Sequence, residues 1–228
     1  MSGAGGEAAR AHRAAQLNAL RRDLIVAAAR TVFSRAGLEG ASMRAIAAEA
    51  GCTTGAIYPL FAGKEALYAA VLADSLDALG EGVRTAMAGR TGAEAAGRGL
   101  AAFHDFYRAR PDDLSLGLYL FGGLRSAGLN PELDADLNRR LRTVFDAIEG
   151  AFAAAGEEDP RSRTTTATAQ SIGLLVLQQT GRLKRLERTA DGLFGRFLEQ
   201  GWPGLGASAP SVGGPAEHET TTGGDDDE

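Results

Sequence analysis

A chain of 228 residues with 44% hydrophobic content can bury one substantial core or two smaller ones, and its single cysteine excludes an internal disulfide. The longest apolar run, Ala66 to Ala73, is too short to span a bilayer, and the polar, Ala-rich start lacks the apolar centre of a secretory signal, so a cytoplasmic protein is expected. The net charge of −5 suits a nucleic-acid partner poorly until it is divided: residues 1–64 hold eight Arg or Lys against four acids, which leaves the rest of the chain nine charges negative.

Residues 1–18 are Gly, Ala and Arg without an apolar period and read as a disordered arm. Arg10 and Arg13 lie in it, but no aromatic or compact Arg-Gly pattern argues for insertion into a groove. The informative stretch runs from Ser42 to Leu67. Ser42 is placed to cap a helix whose Met43, Ile46, Ala47 and Ala50 recur at three- and four-residue steps, and Gly51 supplies a sharp turn. Thr53 is then expected to cap a second, shorter helix with Ala56, Ile57 and Phe61 turned inward and Thr54, Gly55 and Tyr58 turned out. Helix, turn and a short helix with small residues at its tip suit a DNA groove. Thr54 can bond a base edge or a phosphate, Gly55 lets the backbone come close, and the Ala56 methyl can meet a thymine methyl. Pro59 lacks an amide and disfavours helical geometry at Tyr58, so the second helix is predicted to end or kink there.

This stretch resembles the TetR family of bacterial regulators. The family pattern is carried by Ser42, Ile46-Ala47, Ala50-Gly51, Thr53 with Gly55, Ile57-Tyr58, Phe61, Lys64 and Leu67. The preceding Ile25, Ala28, Ala29, Val32, Phe33 and Gly37 resemble the family's first helix and its glycine stop. Cys52, Pro59 and Leu60 depart from the pattern, which shifts the burden of DNA contact to Arg44, Thr54, Tyr58 and Lys64, within a candidate set that also holds Ser42, Thr53 and Gly55. Of these, Arg44 and Thr54 would read bases, while Thr53, Tyr58 and Lys64 would hold phosphates. The resemblance implies a dimer on a palindromic double-stranded operator and a small-molecule effector held in the C-terminal part.

Beyond the motif the pattern stays helical. From Lys64 to about Ala88 an apolar stripe of Leu67, Val71, Leu72, Leu76, Leu79, Val83 and Met87 predicts a long lever helix. A helix over about 92–109 ends at Arg110-Pro111, a less regular one follows to about Ala127, and Asn130-Pro131 opens another that stops at Gly156. Around Thr164 to Leu186 the apolar residues surround the helix, which requires cover on all sides. Ile172, Leu175 and Val176 are therefore candidates for a symmetric dimer interface, against the alternative of a helix buried within one chain, and the family resemblance implies Leu193, Phe194 and Phe197 of the last helix as their partners.

Phe103, Tyr107, Tyr119 and Phe121 concentrate aromatics in the acidic part, with His104, Arg125 and Gln178 as possible polar anchors of a pocket for a planar or amphipathic effector. Plain core packing is the competing reading for the aromatics, a hydrogen-bonded helix position for His104 and a solvated surface charge for Arg125. Adjacent helix positions point His104 and Asp105 apart, and the sequence has neither metal-ligand spacing nor a glycine-rich phosphate loop, so an enzyme and a cofactor are not expected. The expected architecture is all-α: an arm at 1–18, a three-helix DNA-binding domain at 19–66, a helical effector-binding and dimerisation domain at 67–202, and a disordered acidic tail at 203–228.

Overall fold

The computed structural model describes residues 3–119 and 129–201, with the backbone alone for residues 3–9 and Tyr119. Phe121 and Arg125, the Tyr119 side chain and the tail at 203–228 lie outside the described residues. Within them the chain forms ten helices and no strand.

Helix α1 (Gly3–Gly40) includes residues 10–18, so a disordered arm is the wrong description of that segment. Ala, Arg, Gln and Leu are strong helix formers, no proline interrupts them, and the segment only propagates a helix nucleated and packed further on. Its residues 10–20 are all exposed. Gly37, at φ 65° and ψ −179°, breaks α1 at the glycine stop. Next come α2 (Met43–Glu49) and α3 (Thr54–Ile57). These pack around Ile25, Val26, Ala29, Phe33, Ile46 and Ile57, and the first turns of α4 (Lys64–Met87) close the same core with Leu67, Tyr68 and Val71. A four-residue helix cannot hold itself together; α3 exists because Ile57, fully buried, and Phe61 anchor it. Burial of Ile57 alone is worth roughly 2 to 3 kcal/mol.

The second half of α4 enters another core built with α5 (Gly92–Ala109), α7 (Pro131–Ala154), α8 (Pro160–Gln179) and α10 (Ala190–Gly201). Leu79, Val83, Leu100, Phe103, Ile148 and Phe194 are at its centre. Asn130 accepts hydrogen bonds from the amides of Glu132 and Leu133, which with Pro131 starts α7 where the Asn-Pro pair predicts. Asp159 and Pro160 start α8 in the same way, four residues before the predicted Thr164. Nor does α8 run to Leu186: Gly181 turns the chain at φ 71° into the short α9 (Arg182–Arg185). Helix α6 (Pro111–Tyr119) joins the two halves, because it packs on α1, α4 and α5. Tyr68 ties it down: the ring meets Phe33 edge-on at 4.8 Å, and the hydroxyl donates to the Leu116 carbonyl at 2.7 Å.

Leu175 and Phe194 are 2% exposed in a single chain, which corrects their assignment to a dimer interface. Cover on all sides is not what the single chain provides: α5, α7, α9 and α10 pack on one side of α8, and the other side is exposed. Ile172, Val176, Leu193 and Phe197 are half-buried against the same internal clusters. Ala169, Gly173 and Leu177, spaced by four, form an exposed line on α8.

Candidate nucleic-acid interface and effector cavity

Ser42 caps α2 as its position predicts. In extended backbone geometry, its Oγ accepts the Ala45 amide at 3.2 Å and leaves the side chain exposed beside exposed Arg44. The turn after α2 is a Schellman motif. The Cys52 amide donates to the Ala47 carbonyl at 2.9 Å and the Gly51 amide to that of Ala48 at 3.2 Å, with Gly51 at φ +65°. Half-buried Cys52 packs against the core below the turn.

Thr53 stands at the N-cap of α3 in extended geometry, but its side chain makes no capping bond, contrary to expectation; its carbonyl accepts the Ala56 amide instead. The hydroxyl thereby stays on the exposed side. Gly55 is exposed, Thr54 half-buried, and Tyr58 56% exposed, next to fully buried Ile57. Helix α3 ends at Ile57, but not because Pro59 forces Tyr58 out of helical geometry: Tyr58 keeps helical angles (φ −57°, ψ −32°), and the Phe61 amide still donates to the Ile57 carbonyl at 3.0 Å. Lys64 behaves less simply than a free phosphate ligand. Its Nζ donates to the Leu38 carbonyl at 3.0 Å, bracing the end of α1 against the start of α4 while two further N–H groups remain.

A cavity of about 280 Å³ lies in the C-terminal part, between α4, α5, α6 and α7. Phe103 and Tyr107 line it, as do Leu72, Leu137, Phe145 and Ile172. His104 and Gln178 do not. The imidazole of His104 is buried away from the cavity, stacked on Phe194 at 4.5 Å, with Nδ1 2.9 Å from Ser171 Oγ and Nε2 3.2 Å from Asp191 Oδ1. Burial lowers its pKa from the ordinary imidazole value, against a smaller opposing pull from Asp191. Exposed Gln178 accepts the Ala190 amide at 2.8 Å and so caps the start of α10.

The polar groups of the cavity are ones that sequence patterning passes over: Ser75, Asp113, Asp134 and Asn138. Asp113 is 6% exposed, accepts the Ser75 hydroxyl at 3.0 Å, and forms an ion pair with Arg30 of α1. Arg30 also donates to the Val71 carbonyl at 3.3 Å. Burial, with the nearby Asp113 charge, pushes the Tyr107 phenol up to about 12. No sequence signal marks Asp113, since its meaning depends on an arginine 83 residues earlier.

A basic helix-turn-helix head, rigidly continued by α4 into a helical body that encloses a cavity, defines the class of helical, DNA-binding transcriptional regulators. Residues 25–71 match the family model described as bacterial regulatory proteins, tetR family, which identifies this segment as a TetR-type DNA-binding domain. No curated protein matches the chain by sequence. Solved structures agree on the fold. The fatty acid degradation regulator FadR from Bacillus halodurans superposes with a TM-score of 0.62 at 17% identity, over 79% of this chain and 93% of that one. FadR from Bacillus subtilis, in complex with stearoyl-CoA, gives 0.60 at 18%, over 77% and 95%. A tetR-family regulatory protein from Rhodococcus RHA1 gives 0.61 at 21%, over 79% and 94%. Among the described residues no helix is long and apolar enough to cross a membrane, and no group of three or more His, Cys, Asp or Glu could hold a metal ion.

Proposed function

We propose that the protein is a repressor that binds a palindromic operator as a homodimer and leaves it when a small molecule enters the cavity. The observation that carries the reading is the continuity of α4. Leu67, Tyr68 and Val71 belong to the core of the DNA-binding head, and one turn later Leu72, Ser75 and Leu76 line the cavity. A ligand that moves this helix moves the head with it, and so changes the spacing of two recognition helices on successive half-sites. In the head, Thr54 and Arg44 read bases; Thr53, Tyr58, Gly55 and the helix start at Ser42 position the backbone, and Lys64 adds a phosphate contact to its bracing bond. The exposed α8 line through Ala169, Gly173 and Leu177, flanked by Val176, Leu193 and Phe197, is the face offered to a second copy. Phe103 and Tyr107 remain effector contacts in this proposal. The acyl-CoA held by the Bacillus subtilis regulator is a poor guide to this ligand, because no cation lines the cavity among the described residues.

Operator selection from a random duplex library, followed by fluorescence anisotropy and sedimentation, tests the proposal. A palindromic site carrying two copies is expected, with affinity falling steeply as salt rises. Binding that survives combined Thr54→Ala, Tyr58→Ala and Lys64→Ala substitution would sink the contact assignment; a single copy on an asymmetric site would sink the dimer.

A further inference from the structure

We infer that the cavity takes a lipophilic amine whose ammonium group competes with Arg30 for the carboxylate of Asp113. This rests on the effector-released repressor proposed above and supplies its ligand class.

Three features of the site support it. Aromatic and aliphatic side chains form most of the wall, and three of them, Phe103, Tyr107 and Phe145, present rings that attract a cation as well as an alkyl chain. The carboxyl side chains of the described lining are Asp113 and Asp134, and no Arg, Lys or His lies among it. Asp113 is already paired with Arg30, so an incoming carboxylate or phosphate meets no cation of the described lining, whereas an ammonium group can take the place of Arg30 on Asp113 with Asp134 nearby. Lastly, Arg30 can leave. Its side chain is 32% exposed and borders a second, open cavity of about 480 Å³ whose lining includes Asp74 and Asp112 as well as Arg110. Ser75 and Asp113 border both cavities. A guanidinium displaced from Asp113 thus moves toward water in a cavity where two other carboxylates outnumber the one guanidinium of Arg110, while the arriving ammonium keeps the buried carboxylate paired and avoids the penalty of stranding it.

The exchange has a direct mechanical result. Arg30 belongs to α1 of the DNA-binding head and Asp113 to α6, so their ion pair is a tether between the head and the body. Ligand and head then draw on the same carboxylate, and occupancy of one weakens the hold of the other.

Titration calorimetry of the full chain at pH 7 with octylamine, octanol and octanoate tests this. Octylamine is expected to bind about tenfold more tightly than octanol, and octanoate more weakly than either. Arg30→Ala should tighten octylamine roughly fivefold and leave octanol within about twofold, since it removes the competitor alone. Asp113→Asn should remove most of the preference for the amine and leave the smaller part due to Asp134. Octanoate binding at least as tightly as octylamine, or amine affinity unmoved by Arg30→Ala, would overturn the inference, and the three-ligand series on the unmodified chain decides it if the variants fold poorly. DNA release, followed separately by anisotropy on the selected operator, keeps the two proposals apart. Amine binding without release refutes the effector-released repressor and supports the ligand class; release by octanoate instead of octylamine does the opposite.

Discussion

Replacing Tyr68 by Phe removes one oxygen and nothing else. The ring stays in place against Phe33, while the change removes the 2.7 Å hydrogen bond between the α4 hydroxyl and the Leu116 carbonyl of α6. Tyr68 is fully buried, and water cannot readily replace the lost donor. A hydrogen bond of this kind contributes about 1 kcal/mol net, and a carbonyl left unpaired raises the loss toward 2 kcal/mol. For a domain of this size, each kcal/mol shifts the unfolding midpoint by about 2 to 4 °C, so the variant should melt roughly 2 to 8 °C lower. Circular dichroism at fixed protein concentration and pH 7 measures the shift, and urea unfolding should lower the midpoint with little change in slope. A variant that melts within about 1 °C of the parent would refute the reasoning, because the bond joining α6 to the head would then carry no net stability.

Gly51→Ala should lose about 1 kcal/mol in urea unfolding: no atom crowds the new methyl, but φ +65° is strained for alanine. Lys64→Met should lower both stability and the slope of log affinity against log salt, the latter by about one ion; a change in stability with an unchanged slope would reduce Lys64 to a brace. His104 should make the fold acid-sensitive. Its folded pKa lies below the unfolded one, so the unfolded state binds the proton first, and the stabilisation present above about pH 6.5 is lost as pH falls through the lowered folded value. Stability measured between pH 7 and 5 should fall less steeply in His104→Gln than in the parent, and equal slopes would contradict the account.

The α2 turn was legible because all its determinants are local. Ser42 caps the amide three residues on, and Gly51 supplies the left-handed residue of a Schellman turn. What escaped is non-local or depends on competition. Thr53 has the right residue type for a cap, yet its hydroxyl makes no such bond. Leu175 and Phe194 have the hydrophobicity of an interface, but chain topology supplies α9, α5 and α10 as nearer cover. Asp113 looks like an ordinary acid in the first turn of a helix until folding places Arg30 and Ser75 against it. The extension of α1 was missed for a different reason: lack of an apolar face rules out packing, not helicity.

Within α3, anchoring and display fall on different residues. Ile57 and Phe61 are held by the interior, whereas Thr53, Gly55 and Tyr58 face outward and contribute little to the core. Substitutions at the outer positions can therefore accumulate without a threat to folding, and a duplicated copy of this gene could acquire a new target sequence through a handful of tolerated single changes.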